Sequence, residues 1–275
     1  MAAKGESDKG AHQNVARVSM VLGALAESAR TGLRLTDLVK ATGLSKTVAH
    51  RFLTGMMQHG LVEQDELSGR YFLGLNMVVW SAAAGNRYGL KRLAEPALLR
   101  LAEATEDTVY LMLRSGEECI CIDRKEGAFP IRTLTLDVGD RRPLGAGAGP
   151  LAILSYLPDE EIDDVLLSAR SQLARFKFEP GELRRLVQQT RENGFATIDN
   201  RIVPGLSGVA VPLRRRDGVA FAAINVVAIS QRMADSRRRE IATRIQSEAD
   251  KLGEDLAAVL SVDGVEQITR STLPA

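Results

Sequence analysis

Histidine is scarce in this chain. Three occur among 275 residues, His12, His50 and His59, and none follows residue 60. Everything beyond that point is thereby excluded from Ser–His–Asp or Cys–His catalysis and from histidine-based metal binding. Cysteine is scarcer still, with Cys119 and Cys121 alone. Two residues apart in a strand-like run, they share one face, which is poor geometry for a disulfide between them. With no third cysteine to complete a metal site, they read as core or surface thiols, redox sensing being the lesser alternative. Charge of one sign is not in excess, with Lys+Arg 36 against Asp+Glu 35. No strongly apolar run is long enough to span a membrane, which takes about 18 residues or more. Met1–Asn14 lacks the apolar centre of a signal peptide and reads as a disordered leader over residues 1–13. A reducing cytoplasm is the expected setting.

What is present starts at residue 35. Thr36 is the expected N-cap of a short helix, with Asp37 in its first turn where negative charge suits the helix dipole. Gly43 permits the left-handed turn that ends it. Ser45 is a second N-cap, opening a helix of about thirteen residues that Gly60 stops. Val48, Phe52 and Met56 recur at helical spacing, with Ala49 and Leu53 beside them, and form the core side. Thr47, His50, Arg51 and Thr54 recur on the opposite side, and all can donate hydrogen bonds to base edges or phosphates. Lys46 stands at the N-terminal end, the end that enters a major groove. Leu61–Gln64 and Tyr71–Leu73 then read as two short strands around a tip at Asp65–Gly69, with Arg70 placed to reach a phosphate or the minor groove.

An amphipathic helix alone suits any small helical domain. The ordered run of cap, glycine turn, cap, glycine stop and hairpin is the layout of a winged helix-turn-helix. Charge agrees with it: from residue 30 to 51, Arg30, Arg34, Lys40, Lys46 and Arg51 stand against Asp37 alone. In a nearly neutral chain that is a local basic footprint, as double-stranded DNA requires.

A helix over Asn14–Ser28 precedes the motif. One or two helices over Leu75–Glu95 follow it as a linker, and Pro96 kinks the chain or starts a new helix. Beyond residue 108 the period changes. Val109–Arg114, Cys119–Arg124 and the partly alternating Ile131–Leu136 read as strands. Asp159–Ala169 and Pro180–Asn193 read as helices. Phe195–Asp199, Leu206–Leu213 and Val219–Ile229 read as further strands, and Asp235–Leu260 as a long last helix. Strands in runs with helices between groups argue for an α+β domain on a mainly antiparallel sheet. The Gly145–Gly149 turn has no Gly-Lys-Ser/Thr ending, and Pro150 occupies the last glycine of a dinucleotide fingerprint. What it offers instead is a bare backbone leading into a helix through Tyr156, a place for a small carboxylate. No catalytic residue, metal ligand or cofactor is assigned.

The segments LTDLVKATGLSKTVAHRFL and GLVEQDELSGRYFLG resemble the winged helix of the IclR family of bacterial transcription regulators. IDRKEG, VGDRRPLGAGAGPLAIL, RENGFATIDNRIVPGLSGVAVPL and FAAINVVAI resemble its effector-binding domain. The resemblance covers about Val15 to Leu260. It implies a two-domain α+β chain: a winged helix-turn-helix over 14–74, a linker helix over 75–95, a GAF-like effector domain over 96–262 and a tail over 263–275. It implies a homodimer or tetramer that binds an operator in duplex DNA through Arg34, Ser45, Lys46, Thr47, His50, Arg51, Thr54 and Arg70, under control of a small organic acid. It places effector contacts at Ala148 and Gly149, with Leu134, Leu144, Gly145 and Ala146 leading up to them, and at Asp199, Leu206, Gly208, Asn225 and Val227. The family usually carries His where Gly145 stands, Cys or Ser at Gly208, and small hydroxyls at Asn225 and Val227. Those departures imply a larger, less polar pocket and an aromatic or longer-chain acid. The competing reading is a metabolite sensor that acts through protein contacts and uses the winged helix to dimerise.

Overall fold

The structure is a computed structural model that describes the backbone of residues 2–88 and 90–260, with side chains described over 12–81 and 91–252. The expected tail at 263–275 lies outside the described residues. Two compact units divide near Arg87 and Tyr88. Among the described residues no helix is long and apolar enough to cross a membrane.

The first unit holds α1 (Ala2–Glu27), α2 (Leu35–Thr42), α3 (Lys46–Gln58), β1 (Val62–Gln64), β2 (Tyr71–Leu73) and α4 (Leu75–Tyr88). Of the residues expected as a disordered leader, 2–13 are helical backbone in α1. Helix α2 starts earlier than expected: its N-cap is Arg34, without a side-chain cap bond, so Thr36 lies in the first turn and caps nothing. Gly43 ends α2 at φ 68°, and its N–H donates to the Val39 carbonyl. Ser45 caps α3 as expected, its hydroxyl accepting from the Val48 N–H at 3.4 Å. The buried stripe of α3 is Ala49, Leu53 and Met56, with Val48 and Phe52 at its partly covered margin. These pack with Val21, Leu25, Leu38, Val62 and Tyr71. The hairpin closes against the entry to α2 through paired backbone bonds between Leu33 and Tyr71. A Cβ on Gly74 would lie 2.3 Å from the Gly60 carbonyl oxygen, so only glycine lets the hairpin leave beside the end of α3.

The second unit is a six-stranded antiparallel sheet between two helical layers. Helix α5 (Leu90–Thr105) leads to β3 (Thr108–Ser115), β4 (Glu118–Lys125) and β5 (Arg141–Pro143). Helices α6 (Ala148–Ser155), α7 (Asp159–Ser168), α8 (Arg170–Arg175) and α9 (Pro180–Asn193) follow. The chain ends with β6 (Ala196–Asp199), β7 (Leu206–Arg214), β8 (Ala220–Ile229) and α10 (Asp235–Leu260). Strand order is β5-β4-β3-β8-β7-β6. Alternation sorts side chains to the two faces. Tyr110, Met112, Ala223 and Val227 pack toward α6 and α9. Val109, Leu111, Ile224 and Val226 pack toward α5 and α10. Arg100 ties those two helices together with a two-pronged bond to Glu248, at 3.1 and 2.6 Å.

Three expectations fail in this unit. Pro96 lies inside α5 and so does not start a helix. Part of the expected linker, residues 90–95, belongs to α5, where Ala94 is core. Residues 131–136 form no strand. There Thr133 and Leu136 are covered, while Ile131 and Leu134 face solvent. The segment is held by side chains instead. The Tyr110 hydroxyl donates to the Thr133 carbonyl at 2.6 Å and accepts from the Thr135 N–H at 3.1 Å, and Thr133 Oγ1 donates to the Val227 carbonyl at 2.8 Å.

Candidate functional site

Two places carry unsatisfied chemistry. The first is the outer face of α3. Lys46, Thr47, His50 and Arg51 are exposed side by side, and Arg34 is exposed at the head of α2. Thr54 is half-buried and its hydroxyl donates to the His50 carbonyl at 3.0 Å, which spends its proton within the helix. Ser45 spends an acceptor on capping. The Arg51 guanidinium rests 5.7 Å from the Phe52 ring, which steadies it without neutralising it. The wing is less inviting to phosphate. Asp65 and Glu66 stand at its tip, and the Asp65 carboxylate accepts from the N–H groups of Leu67 and Ser68 at 2.7 and 3.0 Å. Those amides, Ser68 foremost, hold the Asp65 carboxyl below its ordinary value. Arg70 does not reach outward as expected: its Nη1 donates to the carbonyls of Thr31 and Gly32 at 3.3 and 2.9 Å, clamping the wing to the turn after α1.

The second place is a shallow cleft, open to solvent, on the α6 side of the sheet. Its apolar wall is Ile198, Ile202, Val203, Leu206 and Val227. Its polar end gathers Arg142, the start of α6 and Asn225. Arg142 leaves β5 and is held by a bond from Nη2 to the Thr135 carbonyl at 2.8 Å. A Cβ on Gly147 would lie 3.5 Å from Arg142 Nη1, so the other prong lies along the first turn of α6. Among the described residues no carboxylate pairs with this guanidinium, and burial pulls it below its ordinary value. Arginine nevertheless stays charged at neutral pH. The amides of Ala148 and Gly149, in the first turn of α6, have no acceptor within the helix. Asn225 is 6 % exposed, and its Oδ1 has no hydrogen-bond partner. An unmet buried acceptor costs roughly 1–3 kcal/mol.

Residues 82–254 match the model of the bacterial transcriptional regulator IclR C-terminal region, and residues 14–66 match the IclR helix-turn-helix domain. The chain belongs to the IclR family. Its relatives include KipR of Bacillus subtilis, an HTH-type transcriptional regulator 27% identical over 225 residues, which cover 80% of this chain and 88% of that protein. An IclR transcriptional regulator from Alicyclobacillus acidocaldarius shares the fold at a TM-score of 0.77 and 23% identity, over 90% of this chain and 98% of that one. An IclR homologue from Microbacterium hydrocarbonoxydans, solved as a complex with 4-hydroxybenzoate, gives 0.70 and 24%, over 89% and 99%. An IclR-family chain is a transcriptional regulator and not an enzyme.

Within the IclR C-terminal region the cleft gathers some of the expected effector residues and leaves out others. Ala148, Leu206, Gly208, Asn225 and Val227 line it. Leu134 points to solvent, and Leu144 and Ala146 are sealed in the core. Asp199 pairs with Arg238 of α10 at 2.8 Å, outside the cleft. Gly145 opens no extra space: a Cβ there would meet Leu183 at 3.2 Å, on the packing side of the turn. Gly149 is a packing glycine whose Cβ would meet Met112 at 2.9 Å, bringing α6 close to β3. Sequence reasoning missed Arg142 altogether. Its signal was an arginine in a three-residue strand just before a glycine-rich turn, too short a strand to show a period.

Proposed function

We propose that this regulator reads an operator in duplex DNA through the outer face of α3 and is switched by a small organic anion held in the cleft. Arg142 carries the second half of this reading. A charged guanidinium with no carboxylate at ion-pair distance among the described residues, beside a helix N-terminus and an apolar wall, fits a carboxylate with an apolar body. The walls Ile198, Val203, Leu206 and Val227 suit an aromatic or longer-chain acid, and the homologue bound to 4-hydroxybenzoate is a precedent on the same fold. Gly208 now supports this larger ligand alone, without Gly145. On α3, Lys46, Thr47, His50 and Arg51 are the proposed base or phosphate contacts, with Arg34 flanking them and Ser45 and Thr54 shaping the helix. Leu75, Val78, Val79 and Trp80 leave an exposed apolar stretch on α4, which supports association with a second copy of the chain.

The effector must bind one DNA-binding state better than the other, because a ligand with equal affinity for both shifts nothing. Retention of the chain's own upstream DNA, measured with and without carboxylic acids over a salt series, tests the reading. Steep salt dependence and release or capture by an acid are expected. No DNA binding at low salt would return the chain to the role of a sensor acting through protein contacts.

A further inference from the structure

We propose that Tyr110 is a positioning residue of the acid site: its buried hydroxyl fixes the segment whose Thr135 carbonyl aims Arg142 in the cleft. The proposal rests on reading the cleft as the effector site.

Residues 131–136 border the cleft through Thr135 and Leu136, and they lie outside the sheet. Among the described residues, their one backbone-to-backbone bond stays inside the segment, from the Thr135 N–H to the Thr133 carbonyl at 3.0 Å. Backbone with so few bonds of its own opens easily unless side chains hold it. Three side chains do. Tyr110 on β3 takes two bonds, to the Thr133 carbonyl at 2.6 Å and from the Thr135 N–H at 3.1 Å. Thr133 Oγ1 donates to the Val227 carbonyl on β8 at 2.8 Å. Arg124 on β4 donates to the Leu136 carbonyl at 3.0 Å.

Thr135 is where this hold meets the site. Its N–H faces Tyr110, and its carbonyl accepts from Arg142 Nη2 at 2.8 Å. That bond sets the plane of the guanidinium. The Phe176 ring, 5.9 Å away, adds a less directional contact. Two-pronged binding of a carboxylate depends on that plane as well as on the charge. Tyr110 is fully buried and does not line the cleft, so it reaches a ligand only through what it holds. Losing its hydroxyl leaves the charge of Arg142 in place and loosens its aim.

Tyr110→Phe keeps the ring and removes the hydroxyl. The Thr133 carbonyl and the Thr135 N–H still have each other, so no buried group is stranded and the variant should fold. Titration calorimetry of the full chain with 4-hydroxybenzoate, benzoate and hexanoate tests the role in four proteins: the parent, Tyr110→Phe, Arg142→Gln and the double variant. Tyr110→Phe is expected to weaken every acid that binds by about two- to tenfold, the worth of one hydrogen bond. In the Arg142→Gln background the same change is expected to cost less than about twofold, because no charge is left to aim. Hydrogen exchange should quicken at the Thr135 amide and stay slow in the middle of β3 and β8. A tyrosine that merely supports the fold would weaken acids equally in both backgrounds. That result overturns the proposal, as does full affinity in Tyr110→Phe. If Tyr110→Phe does not fold, Thr133→Val, which frees the same segment from β8, decides by the same cycle. If Arg142→Gln loses affinity and Tyr110→Phe does not, the effector reading stands and the role of Tyr110 falls. If Arg142→Gln binds acids like the parent, or no acid binds the parent, both fall.

Discussion

Helix α3 takes its whole outer face from a run of 13 consecutive residues. The cleft draws on residues as far apart as Thr135 and Val227, brought together by β5, α6, β7 and β8. The two places also hold their charge differently. On α3 the cations and donors stand in water, where solvent screens each one and phosphate competes with salt. In the cleft a single guanidinium is half withdrawn from water beside an apolar wall, where the proposed carboxylate would meet little competition. A surface assembled by helical period tolerates the loss of one side chain. A cleft assembled by strand register depends on a few.

The comparison breaks most visibly at the core beneath α3. Leu53 is fully buried among Val21, Leu25 and Leu38. Leu53→Ala is expected to cost about 2–5 kcal/mol in the first unit, as large-to-small core changes do. Thermal denaturation should show the loss, and DNA retention should vanish with it. Acid binding, proposed for the second unit, should persist. Loss of both would mean that the two units do not fold independently.

Arg142→Gln comes next. Removing a charged partner of a carboxylate costs about 1.5–3 kcal/mol, or roughly 10- to 150-fold in affinity. Calorimetry should show that loss for every acid that binds, while DNA retention without acid stays at the parent level. Arg51→Ala should do the reverse: weaken operator binding by about 1–3 kcal/mol if it reads a guanine, and leave acid binding alone. Lys46→Ala, as a phosphate contact, should lower the salt slope of DNA binding by about 1. Gel retardation over a salt series separates the two roles.

How much of this was legible in the chain follows from the same contrast. Caps and glycine stops are local, so Ser45, Gly43 and the length of α3 could be read directly, as could α9 and α10. Thr36 misled because Arg34 caps α2 through its backbone alone, which leaves no side-chain signature. Ile131–Leu136 misled because alternation reports a half-buried strand only when a neighbour supplies the ladder. Here Tyr110 and Thr133 supply the bonds instead, and Leu134 turns outward. The cleft was legible in β7 and β8, whose apolar strands are long. It was not legible at Arg142, whose role depends on where β5 lands beside α6.

Acidity should sharpen the picture of the second unit. Hydrogen bonds from Arg100 hold the Glu248 carboxyl below its ordinary value of 4.5, and those from Lys125 do the same for Glu95. A depressed carboxyl contributes stability that is complete above its unfolded value and is lost as pH falls through the lower folded one. The melting temperature should therefore hold from pH 7 to about 5 and decline below about 4.5. Glu248→Gln should flatten part of that decline. Since Arg100 is partly exposed, the effect on stability at neutral pH should be small.

The smallest expected effect concerns Cys119 and Cys121. Both lie fully buried in β4, on the face packed against α6 and α9. Burial pushes the Cys121 thiol up to about 12 and Cys119 higher still. At pH 7 only about one Cys121 side chain in 10⁵ is then a thiolate, the form that reacts. Iodoacetamide should label neither residue in the native chain over hours, and both once denatured. Mild peroxide should leave DNA retention unchanged. Rapid native labelling would mean that the sheet opens at β4, the strand that carries β5 and Arg142, and the cleft would then be the more mobile of the two sites.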